Sequence, residues 1–293
     1  MYSGTTLTAM SGRLVGAHQK IDRVSRRHLM TLIRSNKAGT GPSVRFPAIR
    51  SILHFEGRNG PDGIKRKSPA QDEPWHYLSP FDEDDTQLVN LIQDHYDNLV
   101  RALAADDMVV ASFEAAWLSH AVVDGLTPAH HYPYEEKLDE LRGGRGKESR
   151  VTFKEKVVMP GSNRREVLSN NWKMWGSKGL LTTHFAFEWG VSSIMLPMRL
   201  AKNTFPLEAD IEAVRTMSAS DFFIRNAKEV AALGIYDDFI DHGWTSKMAR
   251  TVRRQLVPTL IRTVSLLWYR ARLEADGQLT APSGGGTRKS GNR

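Results

Sequence analysis

DMVVASFEAAWLSHAVVDGLTPAHH, from Asp107 to His131, runs for several helical turns without the two-residue alternation of a strand. Its residues from Met108 to Asp124 are apolar on nearly every face, and Gly125 and Pro128 then stop the element. A helix of this kind is stable only when other helices cover it on all sides. The rest of the chain supplies them. Leu88, Leu91, Ile92, Leu99 and Leu103 form a helical stripe behind the acidic run FDEDD, whose charges suit a helix N-terminus. Leu14, Ala17, His18, Ile21, Val24 and Ser25 follow one face of an earlier helix, opened by Ser11 and reaching about Ile33. Further helical patterning occupies the segment from Leu180, then 207–216, 221–233 and 247–273, the last bent or broken at Pro258. The reading is all-α, with one helical domain over 1–275 and no internal repeat.

Two stretches depart from this periodicity. From Pro42 to Pro80 the chain is rich in Gly, Pro and charge, so it reads as a long loop apart from a short helix near 46–53. From Arg142 to Lys178 it is strongly basic, contains Trp172 and Trp175, and reads as a surface excursion. Three explanations of that excursion stay open: a solvated loop whose tryptophans pack on the core, a strip for nucleic acid, or a patch that docks on an anionic membrane. The end, 276–293, carries SGGGTRKSGNR and reads as a disordered basic tail.

Composition narrows the chemistry. The chain has 293 residues, 40% of them hydrophobic, and a net charge of +7 that favours anionic partners without choosing among them. Cysteine is absent. Disulfides, thiolate metal sites and thiol nucleophiles are therefore excluded, and any metal must be held by imidazole and carboxylate. No stretch has the length of a membrane span, and no basic start followed by an apolar run precedes the first helix, so a soluble cytoplasmic protein is expected.

Within the apolar helix, His120 and Asp124 stand four residues apart and so share a face. Unpaired among Ala, Val, Leu and Trp, they would carry a desolvation penalty of roughly a few kcal/mol, which a divalent cation removes. From this segment alone, a buried His–Asp hydrogen bond with a surface histidine is an equal alternative. A second apolar helix, LLTTHFAFEWG, repeats the spacing at His184 and Glu188. Two such helices are hard to explain as core packing, and with His18 facing inward the metal reading gains. Asp62 in NGPDG and His76 in EPWHYLSP add donors from the long loop, although each alone reads as an ordinary loop residue.

The order His18, Asp62, His76, His120, Asp124, His130, His184, Glu188 resembles the bacterial zinc-dependent phospholipase C family, which shares an all-helical fold with single-strand-specific nucleases. The matching motifs are H-x3-D-x5-H at His120, Asp124 and His130, H-x3-E at His184 and Glu188, the spacing from Asp62 to His76, and WHYLSPFDEDD, which resembles the family's His-aromatic-x-x-Pro-x-Asp segment. The likeness spans about His18 to Leu273. It implies two to three zinc ions: one on Asp62, His76, His120 and Asp124, a close second on His18 with Asp124 as bridge, and a third on His130, His184 and Glu188. It also implies in-line hydrolysis of a phosphodiester by a metal-bridging hydroxide, with Asp62 as a base for the water. The substrate would be a phospholipid head group, or single-stranded nucleic acid on the nuclease alternative; a zinc-stabilised helical binding module without catalysis is the third possibility. Two positions depart from the family. Its N-terminal tryptophan, which completes the site at the first histidine, has no counterpart before Trp75, and Gly63 stands where the choline-preferring enzymes carry an aromatic residue.

Overall fold

The computed structural model describes residues 16–35 and 44–279, and among them every regular element is helical. The helices are α1 (Ala17–Ser35), α2 (Ile49–His54), α3 (Pro61–Lys65), α4 (Gln87–Ala104), α5 (Met108–Gly125), α6 (Tyr134–Leu141), α7 (Phe153–Val157) and α8 (Arg164–Trp175). They continue with α9 (Leu180–Met195), α10 (Leu200–Asn203), α11 (Glu208–Thr216), α12 (Ala219–Ala231), α13 (Ile235–His242), α14 (Ser246–Thr251) and α15 (Val257–Ala275). Ser11 and Leu14 lie outside the described residues, as do 280–293 of the expected tail. Within the described part of that tail Asp276 is ordered by contacts, accepting from the Val44 amide and pairing with Arg272 at 2.6 Å.

α5 is the axis of the molecule. Asp107 caps its first turn by accepting from the amides of Val109 and Val110. α4, α2, α1 and α15 surround it, leaving Ala115, Ala116, Leu118, Val122 and Val123 almost without solvent contact. Each large aliphatic side chain so buried contributes roughly 1.5–3 kcal/mol. α15 is equally enclosed. Its Trp268 indole donates to the Ala115 carbonyl at 3.1 Å, and the Ser25 hydroxyl of α1 donates to the Ile261 carbonyl, tying the three helices together.

Gly125 ends α5 where α4 and α12 converge. A Cβ there would lie 2.6 Å from the Phe223 ring and 2.7 Å from Leu88. Gly125→Ala is therefore expected to cost about 1–3 kcal/mol through overpacking. A thermal midpoint within a degree of the parent would count against this account of the close approach.

Three local expectations are corrected. First, the last helix does not break at Pro258. A π-helical turn, Val252–Leu256, joins α14 to α15 without interruption, and its wider ring accommodates the proline at the first turn of α15. Second, the loop before Pro80 contains α3, so Asp62 sits in the first turn of a short helix rather than in a simple turn; Pro61 at the first helical position pre-sets its backbone. Third, the basic segment, read as a surface excursion of little periodicity, contains two helices. It holds α7, opened by a capping box at Thr152 and Glu155, and α8, capped by Asn163. Met159 and Met174 from it bury against Tyr134 and Leu138 in a small second core. Arg142 and Arg150 are also buried, Arg150 pairing with Glu135 at 2.5 Å.

Candidate metal centre

Four helices aim donors at one point. His18 comes from α1, Asp62 from α3, His120 and Asp124 from α5, and His184 and Glu188 from α9. His130 arrives from the 3-10 turn Pro128–His131, which follows the break after Gly125. His76 comes from the extended segment before it, and the Leu78 amide bonds to the His130 carbonyl to hold the two strands of chain together.

Two groups of donors could each hold a metal ion: His18, Asp62 and His120, and His130, His184 and Glu188. Asp124 lies between them. Its Oδ1 is 3.3 Å from His18 Nε2 and 4.0 Å from His130 Nε2, and its Oδ2 is 3.4 Å from His120 Nε2. His120 Nε2 is also 3.6 Å from Asp62 Oδ1. In the other group Glu188 Oε1 is 2.9 Å from His130 Nε2 and 3.1 Å from His184 Nε2. The resemblance separates Asp62 from His18; the structure brings both to one group. His76 joins neither. Its Nδ1 donates to the Pro74 carbonyl at 3.0 Å, and its ring stands 5.2 Å from that of His130 on the wall of the same cavity.

The hydrogen-bond chemistry of this arrangement fits a cation. His130 Nδ1 is 2.8 Å from the His76 carbonyl, which can only accept, so the proton sits on Nδ1. Burial, partly offset by Asp124, lowers the pKa of His130 and favours the neutral ring. The lone pair of its Nε2 then faces the Glu188 carboxylate, a repulsive contact unless positive charge lies between. At His120, Nδ1 is directed at Glu56 Oε2 at 3.4 Å, and Nε2 faces Asp124 Oδ2 at 3.4 Å and Asp62 Oδ1 at 3.6 Å, so positive charge there rests on the ring itself or on an ion that takes its place. Burial opposes charge on His120, but Asp124, Glu56 and Asp62 outweigh it and raise its pKa well above the usual value. Charge is thus split within the centre, His120 favouring the cationic ring and His18 and His130 the neutral rings that a metal ion needs. Donor separations near 3.3 Å also suit ligands about 2.0–2.1 Å from one tetrahedral ion, which lie about 3.3 Å apart.

Sequence reasoning missed several participants. Lys65 follows Asp62 by one helical turn, and its ammonium is 3.2 Å from Asp62 Oδ1 and 3.8 Å from Asp124 Oδ2. Burial disfavours its charge, yet those carboxylates raise its pKa. Asp62 is held well below the usual carboxylate range, burial opposing and Lys65 and His120 prevailing. Glu56 fixes the His120 tautomer from behind, as outer carboxylates do for metal-bound imidazoles. Beside it Asp22, raised well above the usual range by burial and by Glu56, accepts from the Ser119 hydroxyl at 2.5 Å. The i, i+3 spacing of Asp62 and Lys65 could have revealed Lys65 once α3 was recognised; Glu56 and Asp22 carry no sequence signal.

Of the histidines outside the set, His28 bonds to Thr204, His95 to Glu114, and His131 to the Gly125 carbonyl, which are structural uses.

A cavity of about 480 Å³ opens over the donors. Asp62, His76, His130, His184 and Glu188 line one side, and Lys65, Arg58 and Arg66 add positive charge. Leu138, Val157, Met174 and Leu181 add apolar lining, with Phe185 and Trp189 also among the lining residues. A larger cavity of about 860 Å³ lies elsewhere, between Ser79–Asp82 and Ala231–Asp237, and none of the eight donors lines it. The position of Gly63 admits no side chain, since a Cβ would lie 2.1 Å from the Arg58 carbonyl oxygen. Trp75 does not line this cavity, and the Lys147 ammonium stacks on one face of its ring at 3.7 Å.

No family model, curated protein or solved structure matches this chain.

Proposed function

We propose that the chain is a zinc-dependent phosphodiester hydrolase of the phospholipase C type, with that family's helical fold and a phospholipid head group as its substrate. The observation that carries the reading is the position of Asp124, whose two oxygens face imidazoles from three elements of the chain. Imidazole and carboxylate donors in a cysteine-free chain suit zinc in a catalytic role. His18, Asp62, His120 and Asp124 would hold one or two ions, with His76 close by, and His130, His184 and Glu188 another. When bound, the ions supply electrophilic charge for the phosphoryl oxygens and acidify water.

The chain's own residues account for the remainder. Asp62, ionised and partly open to the cavity, accepts the proton of the attacking water. Lys65 places fixed positive charge beside it, where the phosphoryl oxygens gain negative charge. Tyr77 and Tyr134, stacked with ring centres 5.5 Å apart, line the cavity beside His130 and His184. The apolar lining would take the hydrophobic part of a lipid leaving group.

A single-strand-specific nuclease is the second reading. It is favoured by Phe185 and Trp189, which are 50% and 54% exposed among the residues lining the cavity and offer faces on which bases can stack. The test compares zinc-supplemented protein on phosphatidylcholine, phosphatidylethanolamine and single-stranded DNA. The phospholipase reading expects phosphate-ester release from lipid above that from DNA. It also expects phosphatidylcholine to show no advantage over phosphatidylethanolamine, because the position after Asp62 is Gly63, where no aromatic side chain fits. Faster cleavage of DNA would select the nuclease. Inactivity on all three, with zinc bound, would leave the zinc-stabilised binding module.

A further inference from the structure

Exposed large apolar side chains are concentrated in one stretch of the chain. Val151, Phe153, Val158, Leu168, Trp172, Trp175, Phe185, Trp189 and Leu196 all fall between residues 151 and 196, and few others are found elsewhere among the described residues. Soluble monomers seldom expose such a concentration without using it. On α8 the spacing of Leu168, Trp172 and Trp175 puts all three on the outer face, while Met174 turns inward to the second core. Leu168 is 76% and Trp172 72% exposed, values that core packing does not explain.

This face adjoins the metal cavity. The Trp175 indole donates to the Val157 carbonyl at 2.7 Å, the Thr182 hydroxyl to the Trp175 carbonyl at 3.0 Å, and Val157, Met174, Leu181 and Phe185 line the cavity itself. Arg164, Arg165, Lys173 and Lys178 are exposed around it and make no ion pair among the described residues.

We infer that the outer face of α8, with the exposed edge of α9, is a docking surface for an anionic lipid bilayer. Aromatic and aliphatic side chains ringed by unpaired cations are what an interface of apolar tails and negative head groups accepts. A nucleic acid would use the cations and the tryptophan, but Leu168 and Val158 have no π-face on which a base can stack. A second copy packed symmetrically on this face would set like-charged Arg164, Arg165 and Lys173 against one another. The inference stands apart from the hydrolase reading, because binding is measured without turnover.

The test sediments the zinc-loaded full chain with vesicles of phosphatidylcholine alone and of phosphatidylcholine containing phosphatidylserine. Binding to the anionic vesicles, weakened by high salt, is expected. In Leu168→Ala/Trp172→Ala and in Arg164→Glu/Arg165→Glu, partitioning should fall at least about tenfold, with the thermal midpoint little changed because all four side chains are exposed. Equal binding to neutral and anionic vesicles would overturn the inference, as would variants that bind like the parent. Single-stranded DNA binding that both variants lose, in the absence of vesicle binding, would do so too, as would a dimer in gel filtration that the alanine pair dissolves. Vesicle binding without lipid hydrolysis would count against the hydrolase reading alone.

Discussion

Asn at position 124 is expected to abolish turnover of a soluble chromogenic phosphodiester while leaving the helical fold intact. The substitution keeps the shape of the side chain but removes the charge that His18, His120 and His130 all face. An amide has only one acceptor oxygen, so it cannot face the two donor groups with an acceptor on each side. Loss of at least about a thousandfold in kcat/KM is expected, equivalent to about 4 kcal/mol of transition-state stabilisation. Metal analysis should show at least one ion fewer per chain. Activity within tenfold of the parent would sink the proposal that these carboxylates assemble a catalytic centre. Normal zinc content with lost activity would confine the role of Asp124 to the reacting atoms.

The second large effect is on stability. The centre crowds Asp124, Glu188 and Glu56 with His18, His120, His130 and His184, each almost fully buried. An ion that binds the folded chain and not the unfolded one stabilises it by about 2.7 kcal/mol per site at a hundred times its dissociation constant. Two sites would contribute roughly 5 kcal/mol, or on the order of 10–20 °C in thermal midpoint at about 2–4 °C per kcal/mol for a domain of this size. Chelation should therefore lower the midpoint by that amount, and added zinc should restore it. Calorimetry of chelated and reconstituted protein measures this directly. A midpoint indifferent to chelation would mean that Lys65 and protonated histidines balance the carboxylates without metal.

The sites at risk in such an experiment were unequally visible beforehand. His120–Asp124 and His184–Glu188 were legible because helical geometry turns a four-residue spacing into a shared face, whatever else the chain does. Asp62, His76 and His130 were legible only as members of an ordered motif, since loop residues have no period to reveal their direction. Lys65 was hidden by the reading of 42–80 as a loop. Glu56 and Asp22 were hidden for a different reason: their roles arise from packing of α1 and the α2–α3 connection against α5, contacts between residues far apart in sequence.

The basic segment teaches a similar lesson. Its composition gave no helical period strong enough to announce α7 and α8, because both helices bury very little: α7 has no buried residue and α8 only Met174. A helix that buries one residue need not carry an apolar stripe. Its caps at Thr152 and Asn163 were readable in retrospect, and the exposure of Leu168 and Trp172 was not, since a tryptophan in a sequence reads equally well as anchor or as surface.

Periodicity and composition were enough to establish an all-helical chain, a buried central helix, and metal-capable pairs on two of its helices, because these follow from local geometry and the cost of burying charge. Which donors share an ion, where Lys65 and Glu56 enter, and which apolar side chains stay in water depended on how α1, α3, α5 and α9 meet. Such meetings are set by long-range packing, which no single stretch of the chain encodes.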